Sequence, residues 1–465
     1  MANNTPADKP TTMDGSKTAK KAGPKRAKPG FDGWRIARAG MVIQALHSGL
    51  VFNSFSLFSK ELEREFGWTN AQLGIAFSLN RLESGMLGPL QGWMTDKWGP
   101  RVVLRIGAVL MAFGLLLFSR LDSLFQFYAF YLLVAMGSSL AGFMSITVAI
   151  VHWFERKRSR ALALTQMGFA FGGPFVFGIG VIINRVGWRQ TAFWSSIAVL
   201  VIILAAAQLF EKRPADIGQF VDGIDPESDE YDDTPMGTVA NPVSEVHFTA
   251  SEALRTRAFW FISLGHASAL LVVGAAMAHL ALFLEDELTF SALHTTVIIS
   301  VLPGMMGVGQ LLGGYYGDIA SKRYLTSAAM LGHGGGLMLL AFASGPLMVW
   351  AFVVVHGLAW GVRGPLQQGM RADYFGATDF GKIMGFSSMI TMSGMVLGPV
   401  IAGAMADANG SFQPGFIVLA SGALIGSLWF FYALPPAPPA RDPEPPTNIP
   451  PSDRPALTPT TARTP

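Results

Sequence analysis

The stretch Gly92-Trp-Met-Thr-Asp-Lys-Trp-Gly-Pro-Arg101 separates two long apolar segments, and a related stretch follows 222 positions later. The second copy, Gly314-Tyr-Tyr-Gly-Asp-Ile-Ala-Ser-Lys-Arg323, also lies between two apolar segments. At this one offset the first glycines, the aspartates Asp96 and Asp318, and the final arginines all align. Self-similarity of this period in an apolar chain is typical of two homologous halves of a transporter-like bundle.

A second pair of loops repeats at nearly the same offset. Trp153-Phe154 is followed by a basic run and a Gly-containing apolar segment, and Tyr374-Phe375 is followed by Lys382 and another such segment, 221 positions later. Two pairs of loops that repeat at nearly the same offset indicate a tandem duplication of a membrane unit.

The composition excludes several classes of protein. Hydrophobic residues make up 51% and charged residues 14% of the 465 residues, whereas soluble domains carry roughly 25% charged residues. Cysteine is absent, so disulfides, thiolate chemistry and iron–sulfur clusters are excluded. The sequence contains no Walker loop and no His-Glu-x-x-His helix. It therefore predicts no enzyme activity, no cofactor, no metal site and no nucleic-acid partner.

Twelve stretches have the length of about 20 apolar residues that a membrane-spanning helix needs. They are residues 39–59, 70–93, 102–120, 124–150, 161–183, 191–210, 258–284, 293–314, 325–343, 347–370, 382–406 and 414–433. Six lie on each side of a polar segment, which predicts an all-α integral membrane protein with two six-helix halves.

This division predicts five parts of the chain. A disordered basic tail, residues 1–38, precedes the N-terminal half, residues 39–210. A cytoplasmic linker, residues 211–257, leads to the C-terminal half, residues 258–434, and a disordered Pro-rich tail covers residues 435–465. The linker carries a run of acidic residues.

The basic residues predict the orientation. With the N-terminus inside, 27 of the 34 Lys and Arg residues lie on the cytoplasmic side, where such residues are enriched. Both termini and the linker are therefore expected in the cytoplasm.

Two arginines remain inside predicted helices. Arg81 lies near the middle of the second helix, and Arg363 lies in the tenth. Buried charges in a membrane are costly, so they face the bundle interior or a wet cavity. Guanidinium groups bind carboxylates, and two of them without matching acids favour an anionic substrate. Glu83 leaves a cationic substrate open, and pairing between helices is the structural alternative for both arginines.

Other polar residues at plausible depth complete the predicted site. The predicted substrate-binding residues are Arg81, Arg363, Asn53, Gln166, Gln367, Ser387 and Thr391. The predicted proton-coupling residues are His47, Glu83 and His266, because a histidine titrates near neutral pH and an intramembrane acid can carry a proton. Interhelical hydrogen bonding is the alternative role for the histidines.

The repeated loop predicts a conformational latch. Its residues are Gly92, Asp96, Gly99, Arg101, Asp318 and Arg323. Asp96 near a helix end can pair with Arg101 or accept backbone hydrogen bonds from a neighbouring helix. Such contacts would hold one side of the bundle closed in one state and break in the other. A basic loop that only sets topology is the alternative.

The first copy of the loop, with Gly92, Asp96, Gly99 and Arg101, resembles the signature loop of the major facilitator superfamily. Further stretches are similar to bacterial relatives of monocarboxylate transporters and oxalate/formate antiporters. They are Leu57–Trp68, Gly88–Gly92, Trp153–Ala161, Gly187–Arg189 and Tyr374–Gly385. The resemblance covers about residues 31–433. It implies the major facilitator fold in a bacterial inner membrane. The Arg and acid that the resemblance would place in the eighth helix are missing from residues 293–314.

Together these features predict a secondary transporter of a small organic anion, a mono- or dicarboxylate. It would work by alternating access with proton symport, as a monomer in contact with membrane lipid. Exchange against a counter-anion, export of a drug-like compound and a non-transporting membrane sensor remain alternatives.

Overall fold

A computed structural model describes residues 30–225, 228 and 246–439, and in these ranges the chain is almost entirely helical. The long helices are named α1 to α12. They are α1 Gly33–Phe66, α2 Asn70–Met86 with Gly88–Trp98, α3 Pro100–Phe118, α4 Leu124–Trp153, α5 Arg158–Val186, α6 Trp188–Ala207, α7 Arg257–Glu287, α8 Ala292–Ile319, α9 Lys322–Ala341, α10 Pro346–Phe375, α11 Phe380–Asn409 and α12 Gln413–Tyr432. All except α2 and α9 are long and apolar enough to cross a membrane. The predicted all-α fold with six helices in each half is confirmed.

Several helices extend beyond the apolar stretches from which they were predicted. α2 ends at Trp98 rather than at residue 93, and α10 ends at Phe375 rather than at residue 370. Backbone hydrogen bonds continue a helix after its side chains become polar, so hydropathy underestimates its length. The predicted tail boundary at residue 38 is wrong because α1 begins at Gly33. The predicted disorder of residues 1–29 and 440–465 lies outside the described residues.

Each half has its own hydrophobic core. In the N-terminal half the core runs from Ile36 to Phe210, and in the C-terminal half it runs from Val246 to Ala433. A third, smaller cluster joins the halves, and we call it the apolar seal. It consists of Met144, Val148 and Val151 of α4 with Ala372 of α10 and Phe380 and Met384 of α11.

Two glycines make the tightest turns of the N-terminal half. Gly99 between α2 and α3 and Gly187 between α5 and α6 both have φ of +82°. Side chains disfavour this conformation, so glycine allows the next helix to begin at once. Pro100 then occupies the first turn of α3, where its missing N–H costs nothing.

Both described parts of the linker pack against the bundle. Asp222 accepts hydrogen bonds from the backbone N–H groups of Glu155 and Arg156 in the N-terminal half, at 3.1 and 2.8 Å. On the other side, the N–H of Phe248 donates to the carbonyl of Phe375 at 3.2 Å. The linker is therefore anchored to each half at its two ends.

The halves meet at one end of the bundle. Because each half has an even number of helices, both described chain ends and the linker lie at this same end, which we call the terminal end. Here α2 and α11 pack through glycines: a Cβ at Gly92 would overlap the carbonyl oxygen of Gly381, and one at Gly88 would lie 2.7 Å from that of Gly385. At a second contact between the halves, Gly314 of α8 packs on Ala163 of α5.

Aspartates at the ends of α2 and α8 bind the starts of helices in the opposite half. Asp96 accepts hydrogen bonds from the backbone N–H groups of Gly381 and Lys382 at the start of α11, both at 2.9 Å. Asp318 accepts one from the N–H of Ser159 at the start of α5, at 2.8 Å. A carboxylate is favourable at a helix N-terminus because the free N–H groups there carry partial positive charge.

An ion pair adds to this closure. Arg158 of α5 pairs with Asp373 of α10 at 2.6 Å, and Lys322 of α9 pairs with the other oxygen of Asp373 at 2.8 Å. The apolar seal lies directly beside these residues, since Ala372 precedes Asp373 in the chain. The terminal end is therefore closed in this structure.

We expect Gly92→Ala to destabilise the closed bundle. The added methyl group would overlap the backbone of α11, and overpacking of this kind costs about 1–3 kcal/mol. Thermal unfolding of the purified protein in detergent would measure a lower midpoint. Gly178→Ala is the matched control, because no atom lies within 4 Å of a Cβ at Gly178. Equal midpoints for the two variants would contradict the close packing of α2 on α11.

We also expect Asp96→Ala to open the terminal end. Removing charge-assisted hydrogen bonds costs about 1.5–3 kcal/mol each, which corresponds to at least a tenfold shift in population. The chain has no cysteine, so a cysteine introduced by Val148→Cys in the apolar seal would report this opening by faster maleimide labelling.

The control for this experiment is Asp122→Ala in the Val148→Cys background. The Asp122 side chain is 78% exposed and lies between α3 and α4, away from the terminal end, so labelling should keep the parental rate. A parental labelling rate in the Asp96→Ala protein would show that Asp96 does not hold this end closed.

Candidate functional site

One face of α10 is turned toward the N-terminal half. Gly364, Gln367 and Arg371 follow a spacing of three and then four residues, which brings them to the same side of a helix. A Cβ at Gly364 would overlap the side-chain oxygen of Gln166 on α5. Gln310 of α8 donates to the backbone carbonyl of Gln166 at 3.3 Å. The predicted residues Gln166 and Gln367 therefore lie at the boundary between the halves.

Arg371 is the centre of a buried polar cluster between α7, α10 and α11. The side chain donates from Nη2 to the hydroxyl of Ser387 at 2.9 Å and to Nδ1 of His266 at 3.2 Å. From Nη1 it donates to the side-chain oxygen of Gln368 at 3.0 Å. The structure thus brings the predicted residues His266 and Ser387 together around an arginine that is only 2% exposed.

Sequence reasoning missed Arg371 because the residue follows the predicted end of the tenth apolar stretch and was counted with the basic cytoplasmic residues. The signal that could have found it is the helical spacing from Gly364 through Gln367, which continues the polar face of α10. Gln368 and Gln310 were missed for a different reason: each lies inside a predicted apolar helix, and the sequence does not show which way an amide side chain points.

Arg363 is the centre of a second buried cluster, between α9 and α10. It donates from Nε to Nε2 of His333 at 3.1 Å and from Nη1 to the side-chain oxygen of Gln367 at 3.0 Å. His333 and Gln367 are fully buried, and the ring of His356 lies 4.7 Å from that of His333. Arg363 therefore points toward α9, and Gln367 connects it to the face of α10 that carries Arg371.

Both guanidinium groups lack a negative partner. Among the residues that the structure describes, no carboxylate lies within ion-pairing distance of Arg363 or Arg371. Neutral acceptors satisfy some of their N–H groups without compensating the charge. A buried, uncompensated cation is costly, and a bound anion would remove that cost.

Glu83 lies in the other half, on α2. The hydroxyls of Ser139 and Ser84 donate to one of its carboxyl oxygens, at 2.9 and 3.2 Å. Its other oxygen is buried without a hydrogen-bond partner, and the residue is 8% exposed. In the described part of the chain, no basic side chain forms an ion pair with Glu83. An acid in this environment can hold a proton near the middle of its helix.

The remaining predicted site residues lie outside the two arginine clusters. Asn53 donates to the carbonyl and hydroxyl oxygens of Ser48 within α1, both at 2.9 Å. Thr391 donates to the carbonyl of Ser388 in its own helix at 3.1 Å. His47 lies against Gly142 of α4. Arg81 is part of α2, but its side chain falls outside the described residues.

The predicted latch residues divide into two groups. Gly92, Asp96 and Asp318 form the contacts between the halves described above. Arg101 instead donates to the carbonyl oxygens of Phe210 and Gln208, which ties α3 to the start of the linker. Gly99 packs on the side chain of Lys212, and Arg323 donates to the hydroxyl of Tyr324.

The described residues contain no group of three or more His, Cys, Asp or Glu side chains that could hold a metal ion. The chemistry that this region offers is therefore that of cations, amides, hydroxyls and imidazoles. Side chains of these kinds can bind an anion or exchange a proton.

Comparison with known proteins agrees with the fold. The sequence matches the Major Facilitator Superfamily over residues 41–366 and 262–462. It is 25% identical to Monocarboxylate transporter 13 of Rattus norvegicus over 404 residues, which are 85% of this chain and 87% of that protein. It is 22% identical to the oxalate:formate antiporter of Oxalobacter formigenes over 413 residues, which are 86% of this chain and 91% of that protein.

A solved structure gives the same result. The human organic anion transporter MFSD10 superposes with a TM-score of 0.65 at 15% identity, over 87% of this chain and 100% of that one. The predicted resemblance is confirmed, and these relatives are transporters rather than enzymes. The chain belongs to the Major Facilitator Superfamily and is a multi-pass integral membrane protein.

Proposed function

We propose that the protein transports a small organic anion, a mono- or dicarboxylate, by alternating access between its two halves. The observation that carries this proposal is the pair of buried guanidinium groups, Arg363 and Arg371, without carboxylate partners in the described chain. An arginine side chain matches a carboxylate in shape and charge. A carboxylate bound beside one of these guanidinium groups would compensate its charge.

The relatives support carboxylate as the chemical class. Their names refer to monocarboxylates and to oxalate and formate. The residues that would select among these anions are the neutral partners of the arginines, His266, Ser387 and Gln367. Gln166 would add a contact from the N-terminal half, because it meets Gly364 on the same face of α10. Arg81, Asn53 and Thr391 remain proposed binding residues.

The closed terminal end supports a rocking motion. The substrate would enter from the far end of the bundle. Release at the terminal end would require two kinds of contact to break: the hydrogen bonds of Asp96 and Asp318 to helix N-termini, and the ion pair of Arg158. The distribution of Lys and Arg supports a cytoplasmic terminal end. A bacterial inner membrane and a monomeric carrier remain predictions.

We propose that a proton moves with the anion. Glu83, His47 and His266 are the candidate carriers, and His266 is the one that contacts an arginine of the proposed site, at 3.2 Å. Anion exchange is the second candidate, and the similarity to an oxalate:formate antiporter favours it.

We expect Arg371→Gln to weaken anion binding by about 30-fold or more, because losing one partner of a buried charge pair costs about 2–5 kcal/mol. Without an anion the variant should unfold at the same temperature or higher, since an uncompensated buried charge is removed. Thermal shifts of the purified protein titrated with acetate, lactate, oxalate and malonate would measure both effects.

Arg64→Gln is the control for that titration. Arg64 is exposed and pairs only with Glu61 one turn away in α1, so the variant should keep the thermal shift of the parent protein. If the Arg371→Gln protein also keeps the parental shift, Arg371 does not bind the anion.

A second measurement separates proton symport from exchange. In proteoliposomes we expect an acidic exterior to drive uptake of the anion above its equilibrium level, and a protonophore to abolish this accumulation. Uptake that ignores the pH gradient but requires an internal anion would contradict symport and identify exchange.

A further inference from the structure

One histidine shares a hydrogen bond with an arginine of the proposed site. Arg363 donates from Nε to Nε2 of His333 at 3.1 Å, and both side chains are buried. A guanidinium has only N–H donors, so Nε2 must present its lone pair. His333 is therefore neutral in this arrangement, with its hydrogen on Nδ1, and Nδ1 is buried without a partner.

The surroundings of His333 are positive or neutral. Arg363 and His356 face it from α10, and His266 on α7 presents a lone pair to Arg371. On the other side α12 contributes Leu424, which packs against the neighbouring Gly334. No carboxylate of the described chain forms an ion pair with His333.

A proton and Arg363 compete for the same lone pair. Protonation at Nε2 breaks the bond from Arg363 and turns His333 into a second cation beside the guanidinium. In a buried site of low dielectric this is strongly unfavourable. A bound carboxylate reverses the balance, since it compensates both charges and accepts the N–H groups that Arg363 releases.

We propose that His333 is the proton-binding residue that couples the proton to the anion, through its shared lone pair with Arg363. This inference rests on the proposed anion transport. Anion binding favours protonation of His333, and protonation frees Arg363 for the anion, so by linkage the two ligands bind together and leave together. Gln367 holds the guanidinium from the other side and keeps it next to the face of α10 that meets Gln166.

Glu83 differs from His333 in this respect. Its described hydrogen bonds are with Ser84 and Ser139 in the N-terminal half. A proton on Glu83 therefore does not compete with a hydrogen bond from Arg363 or Arg371. A proton on Glu83 would respond to the conformation of the halves, whereas a proton on His333 responds directly to the anion.

The test uses His333→Gln in proteoliposomes with radiolabelled acetate and oxalate. The glutamine oxygen can still accept the N–H of Arg363 but cannot take a proton at neutral pH. We expect the variant still to exchange internal for external anion, but more slowly than the parent, because protonation no longer releases Arg363. We expect an acidic exterior to add no accumulation above the level without a gradient.

His356→Gln is the matched control. His356 is equally buried, and its ring lies 4.7 Å from that of His333. Its described contacts do not include a hydrogen bond with Arg363. Its response to the pH gradient should equal that of the parent. Full proton-driven accumulation by the His333→Gln protein would overturn the inference and leave the proposed function intact.

A binding measurement keeps the inference testable if His333→Gln is inactive. When acetate or oxalate is added to the detergent-solubilised parent protein in a weak buffer, the protein should take up about one proton per bound anion. Anion binding without proton uptake would overturn the inference alone. A parent that neither binds nor transports either anion would overturn the proposed function, and the inference with it.

Discussion

The structure depends on a reciprocal interaction in which an aspartate from each half binds the start of a helix in the other. Asp96 of α2 binds the N-terminus of α11, and Asp318 of α8 binds that of α5. The two contacts are related by the duplication, since α8 corresponds to α2 and α11 to α5. Each carboxylate compensates partial positive charge that would otherwise face a membrane interface. Glycines at the same contacts allow the backbones to approach, so charge and shape act together to close one end.

The symmetry of these contacts does not extend to the polar interior. The N-terminal half carries a buried acid, Glu83, whereas the C-terminal half carries Arg363 and Arg371 with neutral partners. A scaffold built from two equivalent halves therefore holds an acid in one half and the two arginines in the other. Each half contributes an aspartate to the closing contacts, which suits a rocking motion. The differences lie in the residues that would bind an anion or a proton.

The sequence predicts the scaffold better than the site. Repeated loops and apolar stretches suffice for the two halves and for Asp96 as a residue that can bind the backbone of a neighbouring helix, because these features follow from local composition and period. That this helix is α11 of the other half follows only from the packing. The role of Arg371 depends on which way the end of α10 faces, and a basic residue after an apolar stretch reads equally well as part of a loop. The bond between His333 and Arg363 depends on the packing of α9 on α10. Neither the role of Arg371 nor the bond between His333 and Arg363 can be recognised from the sequence alone.

The neutral partners of the arginines bear on the choice between symport and exchange. A symporter must reorient without its substrate, and two bare cations would oppose closing the bundle around an empty site. In this structure His333 offers Arg363 a lone pair, and Ser387 and His266 accept N–H groups of Arg371. These acceptors stand in for the oxygens of the anion. If His333 also binds the proton, one imidazole has a role in two steps of the transport cycle. When it is neutral it accepts the hydrogen bond of Arg363, and when it is protonated it releases Arg363 to the anion. An obligate exchanger has no need for such a substitute, because it never reorients empty.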